Sequence, residues 1–353
     1  MIAVDAMGGD FAPRAIVQGS YQAANRGIPI LLFGDSVHIK SILLELSQKD
    51  GKSLDSLPIT IEHTTQIIGM EAEPGRAVLQ AKDSSLVRAV QAVADGTAHA
   101  IVSAGNSGAA LVAGTLILER VPGVLRPAIG DFLPTKSGSV FVMDLGANTD
   151  CKPEYLEQFA LMGHAYVSMI KAIARPRIAL LSNGHEPYKG SLAVKQTYDL
   201  LRKSKLNFVG NIEPRELFDD LTDVIVCDGF VGNVMLKTMQ GTAKTLISWI
   251  DTERSQSWLY TIGLLLSKGL FRGIKNKMDY AKKGGALLLG VKKPLIVAHG
   301  SSNAVAIEHA IVFAHKAVQE RVIERFNAQL ASLLPAQDTF VGAQRLDSHQ
   351  IQQ

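Results

Sequence analysis

Six times along the chain an apolar run ends in a cluster of Gly, Asn, Ser and Asp: IAVDAMGGD from Ile2, AIVSAGNSG from Ala100, VFVMDLGAN from Val140, IALLSNGHE from Ile178, VIVCDGFVGN from Val224 and LIVAHGSSN from Leu295. Runs that stay apolar, without alternating polar residues, are strands buried on both faces, the pattern of a parallel sheet covered by helices. The pattern predicts strands at Ile2–Ala6, Ile30–Phe33, Ile59–Glu62, His99–Ala104, Ser139–Leu145, Arg177–Ser182, Phe208–Gly210, Val224–Asp228 and Leu295–Ala298. It predicts helices starting near Pro13 with Asp10 as cap, after Asp83-Ser84-Ser85 up to Gly96, from the Gly105–Gly108 turn through Leu118, and over about 154–174, 190–204, 231–250 and 303–328. No Pro- or Ser-rich linker interrupts this alternation. Residues 1–335 therefore read as one α/β domain, or as two lobes sharing a sheet, and the Gln-rich stretch 336–353 reads as a flexible tail.

In sheets of this kind ligands bind outside the carboxyl ends of the strands. The six polar clusters are expected to converge on one crevice lined by backbone N–H groups and small side chains. Glycines let several N–H groups face one concavity, and the Gly105-Asn106-Ser107-Gly108 turn also opens a helix, so the natural occupant is an oxygen-rich anion such as phosphate.

Several other chemistries lack their motifs. There is no G-x-G-x-x-G after the first strand and no G-x-x-x-x-G-K-[ST]; His185-Glu186 runs into Pro187, so there is no H-E-x-x-H. Ser107 is not a nucleophile elbow, because Ala109 stands where G-x-S-x-G needs its second glycine. The only cysteines, Cys151 and Cys227, are far apart and have no metal-ligand spacing, so no metal is expected and they read as buried thiols of a reducing cytoplasm. Asp5 and Gly8-Gly9-Asp10 interrupt what would have to be a basic and then apolar secretion signal. A net charge of +3 is too small to imply a nucleic-acid partner.

Trp258–Met278 breaks the α/β rhythm. Its aromatic and leucine positions, Trp258, Leu259, Leu264, Leu265, Leu266, Leu270 and Phe271, give way to Lys268, Arg272, Lys275 and Lys277, and the insertion at about 252–280 suits an anionic membrane surface, or a helical hairpin packed at a dimer interface or on the core. The richest titratable locus is Ser182–Gly190, where Lys189 could neutralise an anion, Asn183 hold a carbonyl oxygen and His185 protonate a leaving group. His299 is a further candidate. Asp5, Asp144 and Asp228 stand at strand ends, where they cap helices or touch substrate.

The chain also resembles a known family over nearly its whole length. AVDAMGGDFAP at the start, KDSS at Lys82–Ser85, SAGNSGA at Ser103–Ala109, RPAI at Arg126–Ile129, DLGAN at Asp144–Asn148, SNGHEPYKG at Ser182–Gly190, CDGFVGNV at Cys227–Val234 and AHGSSN at Ala298–Asn303 are similar to the motifs of the bacterial phosphate acyltransferases that act on acyl carrier protein. The resemblance implies a three-layer α/β/α fold with a largely parallel sheet, similar to phosphotransacetylases and isopropylmalate-type dehydrogenases. It implies a homodimer peripherally attached to the membrane from the cytoplasm, and functional coupling to a membrane glycerol-3-phosphate acyltransferase. The implied reaction converts acyl carrier protein thioester and inorganic phosphate to acyl phosphate and free carrier, for phospholipid synthesis, with no cofactor.

On that reading Asn106, Ser107, Gly108, Ser301 and Ser302 cradle phosphate, with Gly8, Gly9 and Gly105 shaping the crevice. Asp5, Lys82, Ser84, Asp144, Asn148, Asp228, Asn233 and Asn303 complete the substrate site, and Lys189 and Asn183 stabilise the oxyanion. The acidic carrier is expected to dock on Lys82, Arg88, Lys282 and Lys283. The rival readings are a nicotinamide-dependent dehydrogenase of the same fold and a non-catalytic membrane scaffold.

Overall fold

The computed structural model describes residues 1–267, 269, 270, 273 and 284–334. Its strands are β1 (Ile2–Asp5), β2 (Ile30–Gly34), β3 (Ile59–His63), β4 (Ala100–Ser103), β5 (Ala128–Pro134), β6 (Ser139–Met143), β7 (Ile178–Leu181), β8 (Phe208–Ile212), β9 (Val224–Val226), β10 (Ala286–Leu289) and β11 (Leu295–Val297). They form one sheet in the order β3-β2-β1-β4-β11-β10-β5-β6-β9-β7-β8. Helices α1 (Arg14–Ala24), α2 (Ser36–Asp50), α6 (Pro153–Lys171), α7 (Leu192–Lys203), α10 (Ala304–Gln319) and α11 (Val322–Leu333) cover one face. Helices α3 (Pro74–Gln80), α4 (Ser85–Ala94), α5 (Ser107–Ile117) and the inner part of α8 (Gly229–Gln256) cover the other. Ile2 and Val4 point into the first core and Ala3 into the second, the period-2 alternation of a sheet buried on both sides. This is a three-layer fold with a largely parallel sheet.

Parallel pairing holds within two blocks, β3-β2-β1-β4-β11 and β6-β9-β7-β8. Two strands absent from the apolar pattern, β10 and β5, lie between the blocks and make three successive antiparallel pairings, β11 with β10, β10 with β5 and β5 with β6. Three reversals leave the second block pointing opposite to the first. The carboxyl ends of β1, β4 and β11 therefore open at one edge of the sheet, and those of β6, β7 and β9 at the other. The six polar clusters do not converge on one crevice in a single chain.

After α8 the chain turns into α9 (Trp258–Leu266), which packs against it. Trp258, Leu259 and Leu266 are exposed there, as is Leu270. Leu264 and Leu265 fall within α9. Phe271, Lys268, Arg272, Lys275, Lys277, Lys282, Lys283 and the tail 336–353 lie outside the described residues. Among the described residues no helix is long and apolar enough to cross a membrane.

Candidate functional site

At the first edge the loops after β1, β4 and β11 meet because those strands are neighbours. Asp10 N–H donates to Gly300 O at 2.8 Å, and Gly8 lies so close to Gly105 that a Cβ on Gly8 would be 2.8 Å from the Gly105 Cα. Asp5 is only 2% exposed. Its Oδ1 accepts the Ser85 hydroxyl at 2.6 Å and its Oδ2 the Ser103 hydroxyl at 2.7 Å, while Ser103 Oγ accepts Gly105 N–H at 3.1 Å. A relay from carboxylate through serine to backbone thus fixes the Gly105 turn. Burial pushes the Asp5 carboxyl above its usual range, opposed by the two serine hydroxyls and by the backbone N–H groups of Met7 and Gly8. Asp5 positions this edge from within. Ser85 and Ser103 complete the relay, and both stand in motifs where neighbouring residues drew the attention.

Asn106 caps α5: its Oδ1 accepts Ala109 N–H at 3.0 Å, and its Nδ2 donates to Met70 O and Ala72 O, each at 3.0 Å. The cap does not use the N–H groups of Ser107 and Gly108, which face out at the positive end of the helix. Ser301 N–H donates to His299 Nδ1 at 3.2 Å and the Ser301 hydroxyl lies 2.9 Å from the same nitrogen. Ser302 is buried, and its N–H donates to His299 O. Ser84, Asp228 and Asn303 cap α4, α8 and α10 through the N–H groups of Val87, Val231 and Ala306. With Asn106, four side chains singled out as substrate ligands thus hold helix ends. Lys82 is exposed two residues before Ser84, and Arg88 is ion-paired to Asp83 at 2.7 Å.

At the second edge Asp144 is fully buried. Its Oδ1 accepts Ile129, Gly146 and Ala147 N–H, and its Oδ2 accepts both Asn148 N–H and the Asn148 amide at 2.8 Å. The Asn148 amide also reaches Pro127 O at 2.9 Å, which binds the Arg126–Ile129 motif to this cluster. Burial again raises the carboxyl. Asn233 sits beside Gly146. Burial pushes the Cys151 thiol up to about 12 and raises Cys227 as well, so neither is a thiolate nucleophile at neutral pH.

The Ser182–Gly190 loop follows β7 at this edge. Asn183 Oδ1 accepts Gly190 N–H at 2.8 Å, and Lys189, a half-buried residue, has its Nζ 5.8 Å from the centre of the Tyr188 ring. His185 is held at both nitrogens, Nε2 by Glu216 at 3.2 Å and Nδ1 by Asn211 O at 3.3 Å. Six strand spacings separate β7 from β4, ~29 Å at ~4.8 Å each. Lys189, Asn183 and His185 cannot share a reacting carbon with Asn106–Gly108 and Ser301 of the same chain. Among the described residues no three His, Cys, Asp or Glu side chains converge in a geometry that would hold a metal ion.

Residues 1–325 match the family described as fatty acid synthesis protein. The chain is 44% identical over 333 residues to the phosphate acyltransferase of Pelotomaculum thermopropionicum, spanning 94% of this chain and 95% of that one. It is 44% identical over 335 residues to the phosphate acyltransferase of Geotalea uraniireducens, spanning 95% of each. In fold it is similar to a phosphotransacetylase from Streptococcus pyogenes, with TM-score 0.56 and 18% identity over 90% of this chain and 94% of that one. It is also similar to 4-hydroxythreonine-4-phosphate dehydrogenase from Klebsiella pneumoniae, with TM-score 0.53 and 16% identity over 90% and 99%. At such identities the two structures speak for the fold alone.

Proposed function

This chain belongs to the phosphate acyltransferase family of fatty acid synthesis proteins, and from that premise we propose that it transfers an acyl group from an acyl carrier protein thioester directly to inorganic phosphate. The observation that carries the reading is the first edge. Three strand ends, the unused N–H groups of Ser107 and Gly108 and the Ser301 hydroxyl meet there around backbone donors. Phosphate is already an anionic nucleophile, so the protein's work is to hold it against the carbonyl and to stabilise the oxyanion. A phosphate oxygen attacks the thioester carbon, the C–S bond breaks, and its electron pair leaves with the carrier sulfur as a thiolate, which needs no general acid. Gly8, Gly9 and Gly105 keep the backbone close enough for these donors to reach the anion.

A serine acyl-enzyme is the second reading, favoured by the 2.9 Å approach of Ser301 Oγ to His299. Against it, Nδ1 already accepts the Ser301 N–H, which competes for the lone pair that would take the hydroxyl proton.

Lys189 and Asn183 stabilise the oxyanion in this reading only if a second copy supplies them, because they stand at the opposite edge of their own chain. The proposed assembly is a homodimer in which one protomer's second edge faces its partner's first edge. His185, pinned to Glu216 and Asn211, braces the Lys189 loop. The exposed Trp258, Leu259 and Leu266 rest on a membrane surface, placing acyl phosphate near a membrane glycerol-3-phosphate acyltransferase, and Lys82 faces the acidic carrier.

Complementation tests the arrangement. Lys189→Ala and a first-edge variant, Gly105→Val, are each expected to yield little hydroxylamine-trappable acyl phosphate. Unfolded and refolded together, they should recover up to about a quarter of wild-type activity, the share expected if half the chains pair as mixed dimers with one intact site of two. No recovery from two individually folded variants would rule out the shared site.

A further inference from the structure

Between β3 and α3 the chain crosses the first edge on the outside of the strand-end loops. It is tied down before the crossing, where Thr65 N–H donates to Asp83 Oδ2 at 2.9 Å and Ile68 is buried in the same core as Leu86 and Val90 of α4. It is tied again afterwards at Pro74, whose Cγ would be 2.6 Å from a Cβ on Gly108 at the start of α5. Gly69, Met70, Glu71 and Ala72 span the gap, and all but Ala72 are exposed. Their carbonyls turn toward one side chain. Asn106 Nδ2 donates to Met70 O and Ala72 O, each at 3.0 Å, and lies 3.5 Å from Gly69 O, while Ala72 N–H donates to Gly69 O at 3.2 Å. Capping α5 uses only the Oδ1 of Asn106, so the amide nitrogen serves the crossing segment alone. An exposed stretch of backbone fastened by one side chain opens at low cost.

Met70 reaches from this segment to the third loop of the site. Its side chain is 41% exposed, and a Cβ on Gly300 would lie 2.8 Å from Met70 Cε and 3.4 Å from Asp10 Oδ1. The methyl group therefore sits where the loops after β1 and β11 join, one residue from Ser301. Those loops offer backbone N–H and hydroxyl groups, which suit an anion. A thioester also brings an apolar acyl group, and a methionine gives it a deformable apolar surface. The same cover keeps water from the reacting carbon.

We infer that Gly69–Ala72 is a strap fastened across the first-edge site by the Asn106 amide, with Met70 as its contact to the acyl group. This rests on the reading of that edge as the site of phosphate attack. With the strap open, water competes with phosphate. Its oxygen bonds to the thioester carbon, the C–S bond breaks, the proton that water gives up goes to the carrier thiolate, and the product is a free acid instead of acyl phosphate.

The test uses the full-length chain and the variants Asn106→Ser, Met70→Ala, Met70→Leu and, as a control on the same segment, Glu71→Gln. Serine keeps a cap for α5 but has no amide. Hydrogen exchange of the 69–72 amides should run about tenfold faster in Asn106→Ser, which loses the hydrogen bonds to Met70 O and Ala72 O, and should keep the wild-type rate in the control. Titration with a carrier protein bearing an uncleavable acyl thioether should show about fivefold weaker binding in Met70→Ala and near-normal binding in Met70→Leu, with affinity for the deacylated carrier unchanged in both. In the transfer assay wild type should release one carrier thiol per acyl phosphate, whereas Asn106→Ser and Met70→Ala should release about two or more, the excess matched by free acid. Wild-type exchange in Asn106→Ser would overturn the strap. Full thioether affinity in Met70→Ala, or equal weakening toward acylated and deacylated carrier, would overturn the acyl contact. If wild type bound the thioether through Met70 but made no acyl phosphate, the inference would stand and the proposed reaction would fall; an active Met70→Ala with normal thioether affinity and one thiol per acyl phosphate would do the reverse.

Discussion

Gly8→Ala is expected to lower turnover by about 100-fold while the protein remains folded. The added Cβ would lie 2.4 Å from Asp5 Oδ2, 2.8 Å from Gly105 Cα and 2.9 Å from Gly105 N. None of these can yield as the tip of a long side chain would. The carboxylate is buried and gripped by Ser85 and Ser103, and Gly105 is backbone held by Ser103. The loops after β1 and β4 must therefore part by roughly 1 Å. A misplacement of that size costs on the order of 10² in a reaction that depends on positioning, whereas the overpacking itself costs about 1–3 kcal/mol. Acyl phosphate formation measured beside a thermal melt separates the two. Near-normal turnover with a normal melting profile would show that the first edge is not where phosphate reacts.

The second large effect is on stability. In Gly232→Ala the Cβ would sit 1.9 Å from Asp144 O and 3.1 Å from Cys227 Sγ. Asp144 cannot retreat, because its carboxylate anchors the whole 144–148 turn and reaches Ile129. The first turn of α8 must lift instead, disturbing the Asp228 cap. A loss of about 3 kcal/mol or more is expected, with a fall in Tm on the order of 5–10 °C. Gly241→Ala, in the same helix with open space around it, is the control: it should be neutral or stabilise by about 0.5–1 kcal/mol. Denaturant unfolding of the two variants beside wild type gives both values. Equal stabilities would mean that the start of α8 is not held against Asp144.

The apolar runs that mark β1, β2, β4, β6, β7, β9 and β11 are legible because burial on both faces keeps polar residues to the strand ends, as Asp5, Ser103 and Ser139 are. β5 and β10 are not. AIGDFLP carries Gly130, Asp131 and Pro134 because it forms a hairpin with β6, and ALLL is four residues with no preference between helix and strand. Those omissions had a large consequence, since strand direction depends on how many antiparallel pairings intervene. Local pattern thus located each polar cluster at a strand end without locating the edge to which it belongs.

The residue types at those ends carry a similar ambiguity. Asn, Ser and Asp before a helix look the same whether they bind an anion or cap, and Ser84, Asn106, Asp228 and Asn303 cap. Ser107 and Gly108 stay at the mouth of the site because capping by Asn106 leaves their N–H groups unused.

Direct transfer to phosphate, with no covalent enzyme intermediate, is tested most directly by counting carrier thiol. The wild-type chain is incubated with an acyl carrier protein thioester with and without inorganic phosphate, and free thiol, hydroxylamine-trapped acyl phosphate and protein mass are followed together. Thiol should appear only when phosphate is present, one per acyl phosphate, and the protein mass should not change. Stoichiometric thiol release without phosphate, with an acyl group added to the chain at Ser301, would contradict the account.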